Sequence, residues 1–141
     1  MFKTAFSIAA LLTAEPVPAA QDGGVVQQQL AEADQLMVGV ATNTGNQGFG
    51  DLNDGDDVDL TLALRPGSEY IIVGVCDSDC SDLDMIATGG AGSTLDSDLE
   101  TDDVPLLSFV ADGTGRVTLS ISMADCSDEP CGYGYRVYLA N

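Results

Sequence analysis

The sequence predicts a mainly β protein, an antiparallel β-sandwich with one N-terminal amphipathic helix. Apolar and polar residues alternate over several short stretches after residue 56, which is the pattern of strands with one buried face. Turn residues separate these stretches at intervals of roughly 8–12 residues, as is typical of sandwiches. A single stretch before them has the spacing of a helix instead. At 141 residues the chain has room for one such domain.

Residues 1–20 have the order of a secretory signal peptide. Lys3 precedes the apolar run Ala5–Ala14, which is too short to span a bilayer. Small residues at Val17 and Ala19 predict cleavage after Ala19, with cleavage after Ala20 as the neighbouring alternative. A buried N-terminal helix is the competing interpretation, but the prolines favour a signal. We therefore expect a secreted or periplasmic protein without a membrane span.

The net charge of the chain is strongly negative. Loss of the signal removes Lys3 and Glu15 together and leaves the net charge at −19, with no histidine in the chain. Such a field repels nucleic acid and anionic lipid and attracts cations and basic surfaces. Nucleic acid is therefore excluded as a partner, and an extracellular polymer or protein is expected. Adaptation to a salty medium is the simpler explanation of the acidity.

Four cysteines occur as two compact pairs, Cys76 with Cys80 and Cys126 with Cys131. Three connectivities are possible, and the short spacings favour local pairing within each pair. A zinc site made by all four is the alternative. An exported protein is expected in an oxidising compartment, which favours disulfides.

The helix is predicted over Val25–Met37, where apolar residues recur at intervals of three and four, and Thr42–Gly50 is predicted to be a Gly/Asn-rich connector. Residues 21–47 are thus assigned to a helix and linker, and residues 48–141 to the sandwich.

Among the tyrosines, Tyr133 and Tyr135 are expected in the core and Tyr138 on the surface. The predicted strands are, in chain order, Val58–Leu64, Tyr70–Val75, Leu83–Thr88, Val104–Val110, Arg116–Met123 and Tyr133–Leu139.

The sandwich region resembles the bacterial pre-peptidase C-terminal (PPC) domain over residues 48–141. The resemblance rests on Gly50-Asp51-Leu52, on Gly55 to Leu60, on Leu64 to Tyr70, on Ser81 to Met85 and on the closing strands Phe109–Ile121 and Tyr133–Leu139. It implies a jelly-roll-like sandwich of the kind often appended to secreted proteases. It also implies a non-catalytic protein, and some relatives bind calcium or extracellular polymers. The two disulfide loops depart from typical members.

Catalytic residues are few. The chain has no histidine, and neither a mature lysine nor a free cysteine is expected, so Ser-His, Ser-Lys and thiol chemistry are not available. A carboxylate-based hydrolase remains as an alternative because acids are abundant. Tryptophan, which often lines sugar sites, is absent. We expect a binding module rather than an enzyme, with a structural subunit of a surface layer or filament as the other alternative.

A calcium site is predicted at the first disulfide loop. Asp77, Asp79, Asp82 and Asp84 fall within eight residues beside the Cys76–Cys80 pair. Hard oxygen ligands in a constrained loop suit Ca²⁺. A second acidic run, Asp96 to Asp103, is expected to approach the first if their strands are neighbours. Solvated turns in an Asp-rich protein are the alternative interpretation of both clusters.

Overall fold

The computed structural model describes residues 17–141, with side chains from Gly24 onward. The predicted signal peptide falls mainly on residues before these, so it lies outside the described part and stays a prediction. The elements are, in chain order, α1 (Val17–Leu36), β1 (Ala41–Leu52), β2 (Asp57–Ala63), β3 (Glu69–Cys76), β4 (Cys80–Gly89), β5 (Thr94–Asp98), β6 (Leu106–Val110), β7 (Arg116–Cys126) and β8 (Cys131–Ala140).

The strands form two antiparallel sheets of four, which confirms the predicted sandwich. One sheet has the order β1-β8-β3-β6 and the other β2-β7-β4-β5, the arrangement of a jelly roll. The main core lies between the sheets and contains Ile72, Leu83, Leu107 and Leu119, all fully buried. The six predicted strands all exist, with ends shifted by a few residues.

The helix covers the outer face of the first sheet. Val26, Leu30 and Ala33 pack on Val73 and Val75 of β3 and form a second, smaller apolar cluster. Gly134 of β8 permits this approach, because an added Cβ would lie 2.7 Å from a methyl carbon of Val26. The helix begins at Val17, earlier than predicted. None of the helices within residues 17–141 has the length and apolarity needed to cross a membrane.

Tyr138 is buried, so the prediction that it is exposed was wrong, whereas Tyr133 and Tyr135 lie in the core as predicted. The alternation along β8 was assigned correctly, and Tyr138 does point away from the main core. The helix covers that side. The Tyr138 hydroxyl donates to Oδ1 of Asp34 at 2.6 Å, and Nη1 of Arg136 donates to Oδ2 at 2.8 Å, so one helix carboxylate anchors α1 to β8.

The prediction of a connector over Thr42–Gly50 was also wrong. This segment belongs to β1, which pairs with β8 through a register shift between Asn43 and Gln47. Its glycines serve packing, because Gly48 and Gly50 lie opposite Tyr135 and Tyr133. An added Cβ at Gly48 would lie 2.5 Å from the Tyr135 ring. The tyrosine rings thus fill the space that side chains at these glycines would occupy. The predicted boundary between linker and sandwich, at residue 48, falls inside β1.

Candidate functional site

The two disulfides close one end of the sandwich. Cys76 is bonded to Cys80, where the chain passes from the first sheet to the second, and Cys126 to Cys131, where it returns. The two corners touch, since Cys80 pairs with Cys126 in register and the Ser127 amide donates to the Asp79 carbonyl at 2.9 Å. The result is a cross-linked edge between the sheets, of a kind typical of exported proteins.

Asp77 lies buried inside this corner. Its Oδ2 accepts the Gly132 amide at 2.7 Å, and its Oδ1 accepts the Asp79 amide at 3.1 Å. The Asp77 amide in turn donates to the Gly132 carbonyl at 3.0 Å. The carboxylate therefore holds the first disulfide loop against the start of β8, which is a structural role with both oxygens engaged.

Asp82 and Asp84 lie elsewhere, on the outer face of the second sheet. Leu83 between them points into the core, and strand geometry places its two neighbours on the opposite side. Oδ1 of Asp82 and Oδ1 of Asp84 are both buried and have no hydrogen-bond partner among the described residues. The structure thus divides the four predicted metal ligands, with Asp77 and Asp79 in the corner and this pair on the sheet.

The second acidic run lies near Asp84, since the charges of Asp98 and Asp102 raise the pKa of Asp84. β5 pairs with β4 so that Asp98 lies opposite Met85, and the Leu83 amide donates to the Asp102 carbonyl at 2.9 Å. One carboxylate oxygen each from Asp98, Glu100 and Asp102 lie within 4.8 Å of one another. We call these three residues, with Asp82 and Asp84, the acidic cluster.

The pKa of Asp84 is raised by its burial and by these neighbouring carboxylates. Burial of the carboxyl group raises it from 3.8 to about 6, with further contributions from the charge of Asp82, from a hydrogen bond to Asp82 and from the charges of Asp98 and Asp102. The neutral form can share its proton with Asp82. Above its pKa, Asp84 is a carboxylate facing other carboxylates, and in the described part of the chain no arginine is bonded to it.

The donor set fits a hard divalent cation. Two oxygens bound to one Ca²⁺ at about 2.3–2.6 Å are separated by no more than roughly 5 Å, which agrees with the spacing among Asp98, Glu100 and Asp102. The unpartnered oxygens of Asp82 and Asp84 would gain a counter-charge. Some lone pairs are already used, because Asp98 accepts the amides of Glu100 and Leu106, and Asp102 accepts that of Val104. These bonds orient the carboxylates and leave further lone pairs for a cation.

Asp98, Glu100 and Asp102 were recognised from the sequence only as part of an acidic run. Their approach to Asp84 depends on β5, which was not predicted because Thr94–Asp98 is short and rich in acids. Leu95 is the one apolar residue in this stretch, so no alternation of apolar and polar residues signals the strand. Asp96 also has a structural role, since it accepts the Ser108 amide across the gap between the sheets.

No protein-family model and no curated protein matches the chain. Among solved structures, the chain is similar to the periplasmic inhibitor of g-type lysozyme, PliG, from Aeromonas hydrophila, with 13% identity, a TM-score of 0.46 and coverage of 67% of this chain and 84% of that one. It is also similar to the P-domain of Penaeus vannamei nodavirus, with 18% identity, a TM-score of 0.37 and coverage of 65% and 94%. The chain is similar as well to the P-domain of Macrobrachium rosenbergii nodavirus, with 16% identity, a TM-score of 0.31 and coverage of 72% of this chain and 98% of that one.

Proposed function

We propose that the chain is an exported, non-catalytic β-sandwich binding module whose acidic cluster takes up Ca²⁺. The single observation behind the calcium site is the group of carboxylates of Asp98, Glu100 and Asp102, whose oxygens lie within 4.8 Å of one another. Asp84, which has a buried and unpartnered oxygen, is near enough for the charges of Asp98 and Asp102 to raise its pKa. The two disulfides support export. The resemblance to PPC domains, whose relatives bind calcium or extracellular polymers, fits the same function and stays a hypothesis.

Two alternatives carry less support. A carboxylate-based hydrolase could use Asp84, whose raised pKa is typical of an acid catalyst. However, Asp82 and Asp84 project from the outer face of a sheet rather than from between the two sheets. A filament or surface-layer subunit would need an open strand edge. Of the four edge strands within residues 17–141, β6 is the one that this argues against, because the amides of Leu106 and Ser108 already donate to Asp98 and Asp96.

The calcium site is tested by thermal melts in EDTA, in 5 mM magnesium and in 5 mM calcium. With a dissociation constant of about 0.5 mM, in the range of extracellular modules, calcium would stabilise the fold by about 1.4 kcal/mol. We expect the melting temperature to rise by roughly 4 °C in calcium, and by much less in magnesium. Magnesium is the necessary control because any divalent cation screens a net charge of −19.

Asp102→Asn is the test variant, and Asp57→Asn is its matched control on the same outer face, two strands away from Asp84. Asp102→Asn should lose most of the calcium-specific rise, while Asp57→Asn should keep it. Equal responses of wild type to magnesium and calcium, or an undiminished calcium response in Asp102→Asn, would remove the calcium site from the proposal.

A further inference from the structure

An apolar groove of about 250 Å³ runs between α1 and the edge of the first sheet. Val73 and Val75 of β3 form its floor and are buried. The walls come from both sides, with the C-terminal part of the helix on one side and the entrance to β6 on the other. The wall residues are Ala33, Leu36, Met37, Val104 and Leu106, together with the polar Gln29 and Glu32.

The groove exists because the helix covers only part of the sheet. α1 packs on β8 and β3, whereas β6 lies beyond it at the sheet edge. The side chains of β6 that face this side are therefore left in water, and Leu106 is 45% exposed. Leu36, on the helix wall, is 79% exposed. Apolar side chains on both rims thus border one groove that no other segment within residues 24–141 covers.

The surroundings of the groove are acidic. Glu32 lines it, Asp102 and Asp103 lead directly into Val104, and the Leu106 amide is bound by Asp98. Asp102 of the acidic cluster therefore lies two residues along the chain from the groove wall, whereas Asp82 and Asp84 lie on the outer face of the other sheet.

Within residues 24–141, the positive charges are either neutralised by a partner or remote from this surface. Arg136 lies beside Val73 in register but is paired with Asp34 at 2.8 Å. Arg65 and Arg116 lie at the opposite end of the strands, near the start of β3 and of β7. The remaining field at the groove is negative, which selects a cationic partner.

We propose that this groove holds an aliphatic side chain of a cationic protein segment, whose lysine or arginine side chains lie against Glu32 and against Asp102 and Asp103, which lead into the groove wall. This inference rests on the proposed role as a binding module and names its partner class. The volume fits one or two side chains, since pockets for whole small molecules are usually about 300–1,000 Å³. The apolar lining provides the contact area, and the acidic rim provides attraction and orientation.

The test uses two synthetic peptides, a lysine-rich peptide with leucine at every fourth position and its twin with serine at those positions. Binding to the purified protein is measured by fluorescence anisotropy in EDTA at low and high salt. The leucine peptide should bind at least about fivefold more tightly than the serine twin. Its affinity should fall by about threefold or more at high salt, since exposed charges are screened.

Matched variants locate the site. Leu106→Ser and Leu36→Ser should each weaken the leucine peptide by about fivefold, and Glu32→Gln by about twofold. Val110→Ser is the control for Leu106→Ser, because Val110 is on the same face of β6, is 54% exposed and lies outside the groove. Glu69→Gln is the control for Glu32→Gln, because it removes one negative charge outside the groove. Both controls should bind like wild type.

Three results would overturn the inference: equal affinity for the two peptides, equal binding by Leu106→Ser and Val110→Ser, or no binding at all. Self-association of the protein that Leu106→Ser abolishes would also overturn it and assign the groove to a second copy of the chain. Because binding is measured in EDTA, failure of the calcium site leaves this result unaffected. Added calcium should weaken the peptide if both occupy the acidic cluster.

Discussion

Asp77 and Asp84 belong to the same acidic stretch of sequence but occupy opposite environments. Asp77 is buried among donors, since both of its oxygens accept backbone amides from Asp79 and Gly132. Asp84 is surrounded by acceptors, and its Oδ1 has no partner among the described residues. The first carboxylate has a backbone donor for each of its oxygens, whereas burial and neighbouring carboxylates disfavour the ionised form of the second. A calcium site should therefore be sought at the carboxylate that lacks donors.

The largest expected effect comes from Asp77→Ala. It leaves two amides in the disulfide corner without their acceptor and should lower the free energy of unfolding by about 3 kcal/mol. Urea unfolding at pH 7 with the disulfides intact measures this. Ser78→Ala, an exposed position in the same loop, is the control and should change stability by less than about 0.5 kcal/mol. Equal midpoints for the two variants would show that the Asp77 bonds do not stabilise the corner.

Whereas Asp77→Ala lowers the free energy of unfolding, Asp84→Asn should raise it. In EDTA at pH 7 it removes a carboxylate that faces other carboxylates, and the amide group of asparagine can donate to Asp82. We expect a gain of about 1 kcal/mol, after allowing for solvent screening. A loss of stability in EDTA would contradict the description of Asp84 as a repelled ion.

The pH dependence of the same variant has a defined direction. Because folding raises the pKa of Asp84 from 3.8 to about 6, the folded state binds the proton more tightly. The stability of wild type relative to Asp84→Asn should thus be highest below pH 4, fall between pH 4 and 6, and be constant above. Urea unfolding in EDTA across this range measures the difference. A difference that does not vary with pH would mean that Asp84 is not the titrating group.

Most of the fold was accessible from the sequence because most strands have one buried face. Alternation along β2, β4, β7 and β8 identified them, and the near-continuous apolar run of β3 follows from its position between the helix and the core. β1 was missed because its apolar contribution comes from tyrosine rings of β8 that lie over glycines. No local pattern within β1 records that contact.

Only half of the candidate site could be predicted from the sequence, because the other half also depends on contacts between distant parts of the chain. The disulfide pairing follows from short spacings, and the structure contains both expected bonds. Whether an aspartate in an acidic stretch is bonded or repelled depends on residues far along the chain. Asp77 meets Gly132, whereas Asp84 meets Asp98 and Asp102 across β5. The groove beside α1 depends on how much of a sheet the helix covers, which periodicity does not determine.

The smallest expected effect separates burial from charge at Asp84. Asp82→Asn removes the nearest negative charge but leaves Asp84 as buried as before. The pKa of Asp84 should therefore fall below about 6 but stay above 3.8, since burial is the largest cause of its elevation. Carboxyl-carbon NMR titration in EDTA follows Asp84 directly. Glu100→Gln is the control, because the charge of Glu100 is not among the causes that raise this pKa. A complete return to the ordinary value in Asp82→Asn would mean that Asp82, and not burial, raises the pKa of Asp84.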